Sequence, residues 1–233
     1  MTEKSYELRR SNRRTLALTL DRQGRLMIHA PMRMPLRTIE AFLLEKQDWI
    51  ARKRQELSAA ESRTDSFSLR EGGCIPYLGG ELRLNYGSVC RAEVQKGVLV
   101  LPRTGSPAQH ALNWLAEQAR RELPAYVEKW AHRMQVYPTA LSFGYAKARY
   151  GSMASGGRMR LNVALMHFPA QYIDYVVVHE LAHRVHPDHS PAFHAYVESV
   201  LPGAGQLRKE MKTLSGYLTL LRELNEKDLE EQE

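Results

Sequence analysis

The sequence predicts an α+β protein. Three observations carry this: short apolar–polar alternations divided by glycine turns, longer stretches with helical spacing, and a histidine pair four residues apart on one of those helical stretches.

In chain order, residues 14–20 and 25–30 alternate around Asp21-Arg22-Gln23-Gly24, the pattern of a β-hairpin. Pro35 to about Ala60 reads as a helix, with Ile39, Phe42, Leu43, Lys46, Trp49 and Ile50 near one stripe. Ser62–Ser68 is polar and reads as a connection. Cys74–Leu78, Glu81–Tyr86, Val89–Gln95 and Val98–Leu101 follow as short strands separated by glycine turns, a β-meander in appearance. Ser106-Pro107 opens a long helix to about Gln135, with a kink expected at Pro124. Segments 140–149 and 158–163 read as strands joined by the Gly/Ser-rich run 151–157. Pro169 starts the next helix, which should end near Val185 because Pro187 disfavours helical geometry at His186. Ser190-Pro191 reads as an N-cap followed by proline, opening a helix that stops before Pro202-Gly203. Residues 206–233 are helical in composition and turn acidic. The expected division is an N-terminal α+β region, residues 1–104, and a region 105–233 holding the histidine helix and a helical tail.

Composition narrows the class. A chain of 233 residues, 43% hydrophobic and 25% charged, has the balance of a globular protein. No apolar run reaches the ~18–20 residues of a transmembrane helix, and the first residues lack the apolar core of a signal peptide. A cytoplasmic location without membrane attachment is therefore expected. Cys74 and Cys90 are too few for a disulfide scaffold and lie far from the histidines. Net charge is +7, and residues 1–54 carry all of it, with 13 Lys or Arg against 6 Asp or Glu. Arg9, Arg10, Arg13 and Arg14 are the densest group. The excess is either a solvated basic face or a surface for an anionic partner.

Five of the nine histidines fall between positions 179 and 194. His179-Glu180-Leu181-Ala182-His183 is an H-E-x-x-H string, and His189 follows six residues later. Side chains four apart on a helix share a face, so His179 and His183 can reach one ion. Glu180 is offset around the helix, in the place of a general base rather than a ligand. The expected metal set is His179, His183 and His189, with Glu198 as competitor for the third place. Three protein ligands leave a position open for water, the layout of a catalytic site. His186 sits where the helix breaks and is expected beside the ligands rather than among them. His194 is expected to be a packing or surface residue. His29, His110, His132 and His167 are isolated and receive no role.

The chain resembles the YgjP-like (DUF45) metallopeptidase-domain family, related to SprT-type zinc proteases. Arg149-Tyr150-Gly151-Ser152 resembles the family's Arg-Trp-Gly-Ser, and Arg160-Leu161-Asn162 its Leu-Asn segment. Residues 173–183 are close to its signature helix, and His189-Ser190-Pro191-Ala192-Phe193 resembles the segment holding its third ligand. Arg10–Leu16 and Pro76–Gly80 resemble its N-terminal hallmarks. Tyr150 stands where Trp is usual and Met153 where Cys is usual, so a thiol role at 153 is ruled out. The resemblance implies a zincin-like fold, with metal-site helices packed on a small mixed β-sheet. It also implies that the strand at about Arg158–Val163 is the sheet edge lining the cleft. Arg149, Ser152 and Arg158 are then candidates for stabilising an oxyanion, and Gly151 and Gly156-Gly157 are assigned to turns.

The expected function is a zinc-dependent metallopeptidase with one Zn²⁺ per chain, acting on a peptide or protein through a metal-activated water and Glu180. The first alternative is a metal-dependent nucleoside triphosphate pyrophosphatase, for example on a pyrimidine nucleotide such as UTP. Its support is 24 arginines able to hold phosphates, against the absence of a G-x-x-x-x-G-K-[ST] loop. The second alternative is a nucleic-acid-associated, SprT-like protease whose basic N-terminal half docks DNA or RNA.

Overall fold

The alternating stretch after Gly24 becomes β3 (Leu26–Pro31), with Leu26, Ile28 and Ala30 buried. The computed structural model describes residues 6–20, 25–52, 54, 67–214 and 218. Within them, β3 pairs antiparallel with β2 (Ala17–Leu20), which is the predicted hairpin. Its turn at 21–24, most of the connection at 62–68 and the acidic tail lie outside the described residues. A strand that the sequence reading passed over, β1 (Tyr6–Ser11), pairs parallel with the other side of β3. Its alternation is hidden by Arg10, which shares the inward register of Tyr6 and Leu8. The Arg10 guanidinium donates to the carbonyls of Pro31, Met32 and Met34 at 3.1, 3.0 and 2.8 Å. One charge of the basic cluster therefore ties the chain together, and Arg9 pairs with Glu7 at 2.7 Å. Helix α1 (Leu36–Glu45) buries Ile39 against Ile28 and Ala30. The helix breaks at Lys46 and resumes over 47–52, and the rest of the predicted 35–60 stretch lies outside the described residues.

The chain divides into compact units at Met1–Arg63 and Thr64–Glu233. The boundary therefore lies at 63/64, not after residue 104. The reason is packing. Strand β4 (Cys74–Tyr77) is fastened to the histidine-bearing region by Leu78 N–H to Met166 O at 2.8 Å and by the His167 ring nitrogen to Pro76 O at 2.9 Å. Ile75, Leu84, Leu99 and Leu101 share one core with the helices that follow.

Nor are the strands of that region a meander. Strands β4, β5 (Gly80–Gly87), β6 (Glu93–Gln95) and β7 (Val98–Pro102) stand in the order β4-β5-β7-β6, with β5 and β7 parallel. Lys96 and Gly97 both have positive φ, 50° and 79°, the two-residue turn that closes the β6–β7 hairpin. Apolar β7 takes the buried interior place, while β6, exposed at all three residues, takes the edge.

Helix α2 (Pro107–Met134) begins as read, with Ser106 Oγ accepting from Gln109 N–H. It ends on Gln135 in the left-handed region at φ 54°. A small mixed sheet follows, β8 (Ala140–Gly144), β9 (Gly151–Met153) and β10 (Arg158–Asn162), in the order β8-β10-β9. Strand β10 is central, so it is not the sheet edge that the family resemblance implied. The edge beside the histidine helix is β9, which formed inside the Gly/Ser run assigned to a turn. Met159 and Leu161 turn from β10 into the core, and Arg158 and Arg160 turn the other way. A 3₁₀ turn (Val163–His167) leads to α3 (Ala170–Ala182), α4 (Pro191–Val200) and α5 (Ala204–Thr213). Asp174 of α3 accepts from Trp130 Nε1 at 2.6 Å and from Lys129 at 3.0 Å, fixing α3 on α2. The architecture is α+β, with helices on small mixed sheets. Among the described residues no helix is long and apolar enough to cross a membrane.

Candidate metal centre

Helix α3 is held by its apolar side. Ile173, Val177, Val178 and Leu181 are fully buried, so the helix cannot turn about its axis without exposing them. His179 and Glu180 project from its last turn, and His183 is its C-cap. Regular helix ends at Ala182, and tighter bonds carry the turn on: Arg184 N–H to Leu181 O and Val185 N–H to Ala182 O, both 3.0 Å. The chain then reverses through Pro187. Asp188 accepts from Ser190 N–H, and Ser190 Oγ from Phe193 N–H, each at 3.3 Å, which starts α4 and points His189 back.

His179, His183 and His189 converge, each offering a ligand nitrogen within 4.8 Å of the others. The Nε2 atoms of His179 and His189 stand 3.1 Å apart. Two ligands of one tetrahedral zinc, each bonded at about 2.0–2.1 Å, stand about 3.3 Å apart, so the residues fit such an ion. His183 Nδ1 donates to His186 O at 3.3 Å, which leaves Nε2 facing the cluster. The carbonyl of His186 accepts this bond, so His186 stands beside the histidine cluster. Its ring rests near Tyr196, 5.5 Å between centroids. Beneath the cluster lies the buried Phe193, with its ring 4.9, 4.6 and 5.0 Å from those of His179, His183 and His189. Burial, with the neighbouring imidazoles His183 and His189 behind it, lowers the His179 pKa to about 3. Burial lowers that of His183 as well. These rings are kept neutral, the form that binds metal.

Glu198 is not part of the cluster. Its carboxylate accepts from Gly203 N–H at 2.7 Å and Gly205 N–H at 2.9 Å, capping α5.

Glu180 is 6% exposed. Burial raises its pKa to about 7, against the opposing effects of the Arg149 charge and a hydrogen bond from the Met153 N–H. Its carboxylate lies so close to Gly151 that a β-carbon there would fall 2.8 Å from both Cγ and Oε1. Gly151 is therefore not merely a turn residue; it leaves the space that Glu180 occupies.

Arg149 and Ser152 line a polar cavity of about 200 Å³ beside this carboxylate. Arg158 does not line it; Arg160, two residues along the same face of β10, does. Two further residues have places at the site that the sequence does not show. His194 accepts from Arg208 Nη1 at 2.8 Å, and the His194 and His189 rings are 6.2 Å apart, so α5 brings a cation to the rim of the cluster. Arg208 lies in a helical stretch with no distinguishing spacing, and only the fold reveals it. Phe193 was legible as part of the third-ligand segment but not as the floor of the site.

A helix-borne histidine pair, a returning third histidine and a buried adjacent glutamate define a centre of the metallohydrolase class. The family model described as YgjP-like, metallopeptidase domain, matches residues 14–214, and the chain belongs to that family. The crystal structure of the metallopeptidase zymogen of Pyrococcus abyssi abylysin is similar at 22% identity, over 39% of this chain and 92% of that one, with a TM-score of 0.36. No curated protein sequence matches.

Proposed function

We propose that the protein is a zinc-dependent peptidase binding one Zn²⁺ per chain through His179, His183 and His189. The observation that carries this is the convergence of three imidazoles beside one buried carboxylate, in a chain of a metallopeptidase-domain family. A bound zinc supplies a Lewis acid that polarises a carbonyl and acidifies water. The protein's own groups do the rest. Glu180 takes the proton of the attacking water and delivers it to the leaving amine. Met153 N–H and Gly151 hold that carboxylate in place, and the His186 carbonyl fixes the tautomer of His183. Arg208, at the rim, is placed to offset negative charge on the substrate carbonyl oxygen. An extended peptide would lie along β9, the edge strand of its sheet, beyond the Met153 N–H that Glu180 occupies.

The test is to incubate zinc-loaded protein with a peptide library and, in parallel, with nucleoside triphosphates. Turnover of peptides is expected. Turnover of nucleotides alone would replace this reading with phosphoanhydride hydrolysis at the same centre. Binding to nucleic acid that weakens steeply with salt would support a nucleic-acid-associated protease.

A further inference from the structure

The cavity beside Glu180 has a composition that the peptidase chemistry does not use. Arg149 and Arg160 enter it from a loop and from β10, together with Ser152, and no acidic residue lines it. Among the described residues, neither guanidinium has a carboxylate within ion-pair distance. The cavity is built rather than incidental. Asn162, 2% exposed, donates to Ala146 O at 2.8 Å and to Arg149 O at 2.9 Å, which clamps the loop that carries Arg149. Its Oδ1 accepts from Ala164 N–H at 2.9 Å, so the clamp is itself anchored. Gly144 leaves room for the Arg160 guanidinium, since a β-carbon there would lie 2.3 Å from Nη2. Gly151 lines the cavity and also touches Glu180, so the cavity and the carboxylate share a wall.

Two guanidiniums with no ion-pair partner in range among the described residues, Arg149 also interacting with the Glu180 charge from farther away, match a carboxylate, which accepts paired N–H donors in a plane. The anionic groups a peptide offers are its terminal carboxylate and its Asp or Glu side chains. Resting on the peptidase reading, we propose that Arg149 and Arg160 form a subsite for a substrate carboxylate next to the cleaved bond. The enzyme would then cut peptides beside an acidic residue or near a free C-terminus, and discriminate against neutral ones.

Arg160 is the residue to change, because Arg149 also acts on Glu180. Arg160→Gln should lower kcat/KM for a carboxylate-bearing peptide by about tenfold to a hundredfold, the worth of charged hydrogen bonds. Most of the change should fall in KM. Turnover of the matched neutral peptide should barely move, and Arg160→Lys should recover part of the loss. Glu against Gln at internal positions, and free acid against amide at the C-terminus, separate the two sources of the carboxylate. A binding arm keeps the subsite separate from the activity. In zinc-loaded wild-type protein, acetylglycine should shift the arginine Nε–Hε NMR signals of Arg149 and Arg160. Acetylglycinamide should not, and Arg160→Gln should abolish the response. Peptide turnover equally fast with and without the carboxylate, or unchanged by Arg160→Gln, would overturn the subsite while leaving the peptidase reading intact. If no peptide is cleaved but acetylglycine still binds, the peptidase reading fails and the carboxylate site stands. Tighter binding of inorganic phosphate than of acetylglycine would overturn the carboxylate assignment.

Discussion

Gly151→Ala tests how Glu180 is held. The glycine lies in β9, paired with Leu161, and its φ is not positive, so alanine fits the backbone. The added β-carbon would stand 2.8 Å from Glu180 Cγ and Oε1 and 3.0 Å from Cδ. Ordinary contact begins at about 3.4 Å, so the carboxyl group, the strand or both must move by about 0.6 Å or more. Overpacking of this kind costs about 1–3 kcal/mol of stability. Misplacement of a catalytic group by about 1 Å costs up to a hundredfold in rate. We expect kcat to fall by about tenfold to a hundredfold with zinc content unchanged, because the atoms nearest a β-carbon at Gly151 all belong to Glu180. Steady-state kinetics on a cleaved peptide, with zinc measured by atomic emission, reads both. A Gly151→Ala enzyme with normal kcat would refute the placement of Glu180 against β9.

Three further outcomes are expected. His167 is buried, and burial lowers its pKa to about 4 from an ordinary value near 6.5. The unfolded chain therefore takes up a proton before the fold does. The His167 contribution to stability should be constant above pH 6.5, decline as pH falls from 6.5 to 4 by about 3 kcal/mol, and level off below that; it is read as the difference between wild type and His167→Gln, because His179 and Glu180 also titrate in this range. Urea unfolding should show a shallower decline in His167→Gln, and an unchanged slope would refute the assignment. Phe193→Ala removes the floor beneath three imidazoles and should cost about 3–5 kcal/mol. It should also weaken zinc binding, measured by competition with a chelator; unaltered affinity would mean that Phe193 does not orient the ligands. Arg208→Met should lower kcat more than it raises KM if the cation acts on developing charge, and a change in KM alone would assign it to binding.

The local parts of the site were legible because helix geometry sets them. Four-residue spacing put His179 and His183 together, Pro187 closed the turn that follows the helix, and Ser190-Pro191 started the next helix. What the sequence could not show depends on non-local pairing. The parallel β5–β7 contact passes over β6, and nothing in either strand's composition states its partner. Strand β9 is three residues inside a Gly/Ser run, too short for periodicity to register. The choice of Arg160 over Arg158 turns on which end of β10 meets the 144–151 loop, although the two arginines share a face. The division after residue 104 failed because the 74–102 strands share their core with the helices after them.

The central claim is that Glu180 moves the proton at a zinc centre formed by His179, His183 and His189. Glu180→Gln addresses it most directly, because glutamine keeps the shape but cannot take the proton. The account predicts full zinc occupancy, an unchanged fold and a loss of at least about a hundredfold in kcat, in keeping with general-base contributions of ~10²–10⁴. A Glu180→Gln protein with full zinc and near-normal turnover would contradict it and place the chemistry elsewhere.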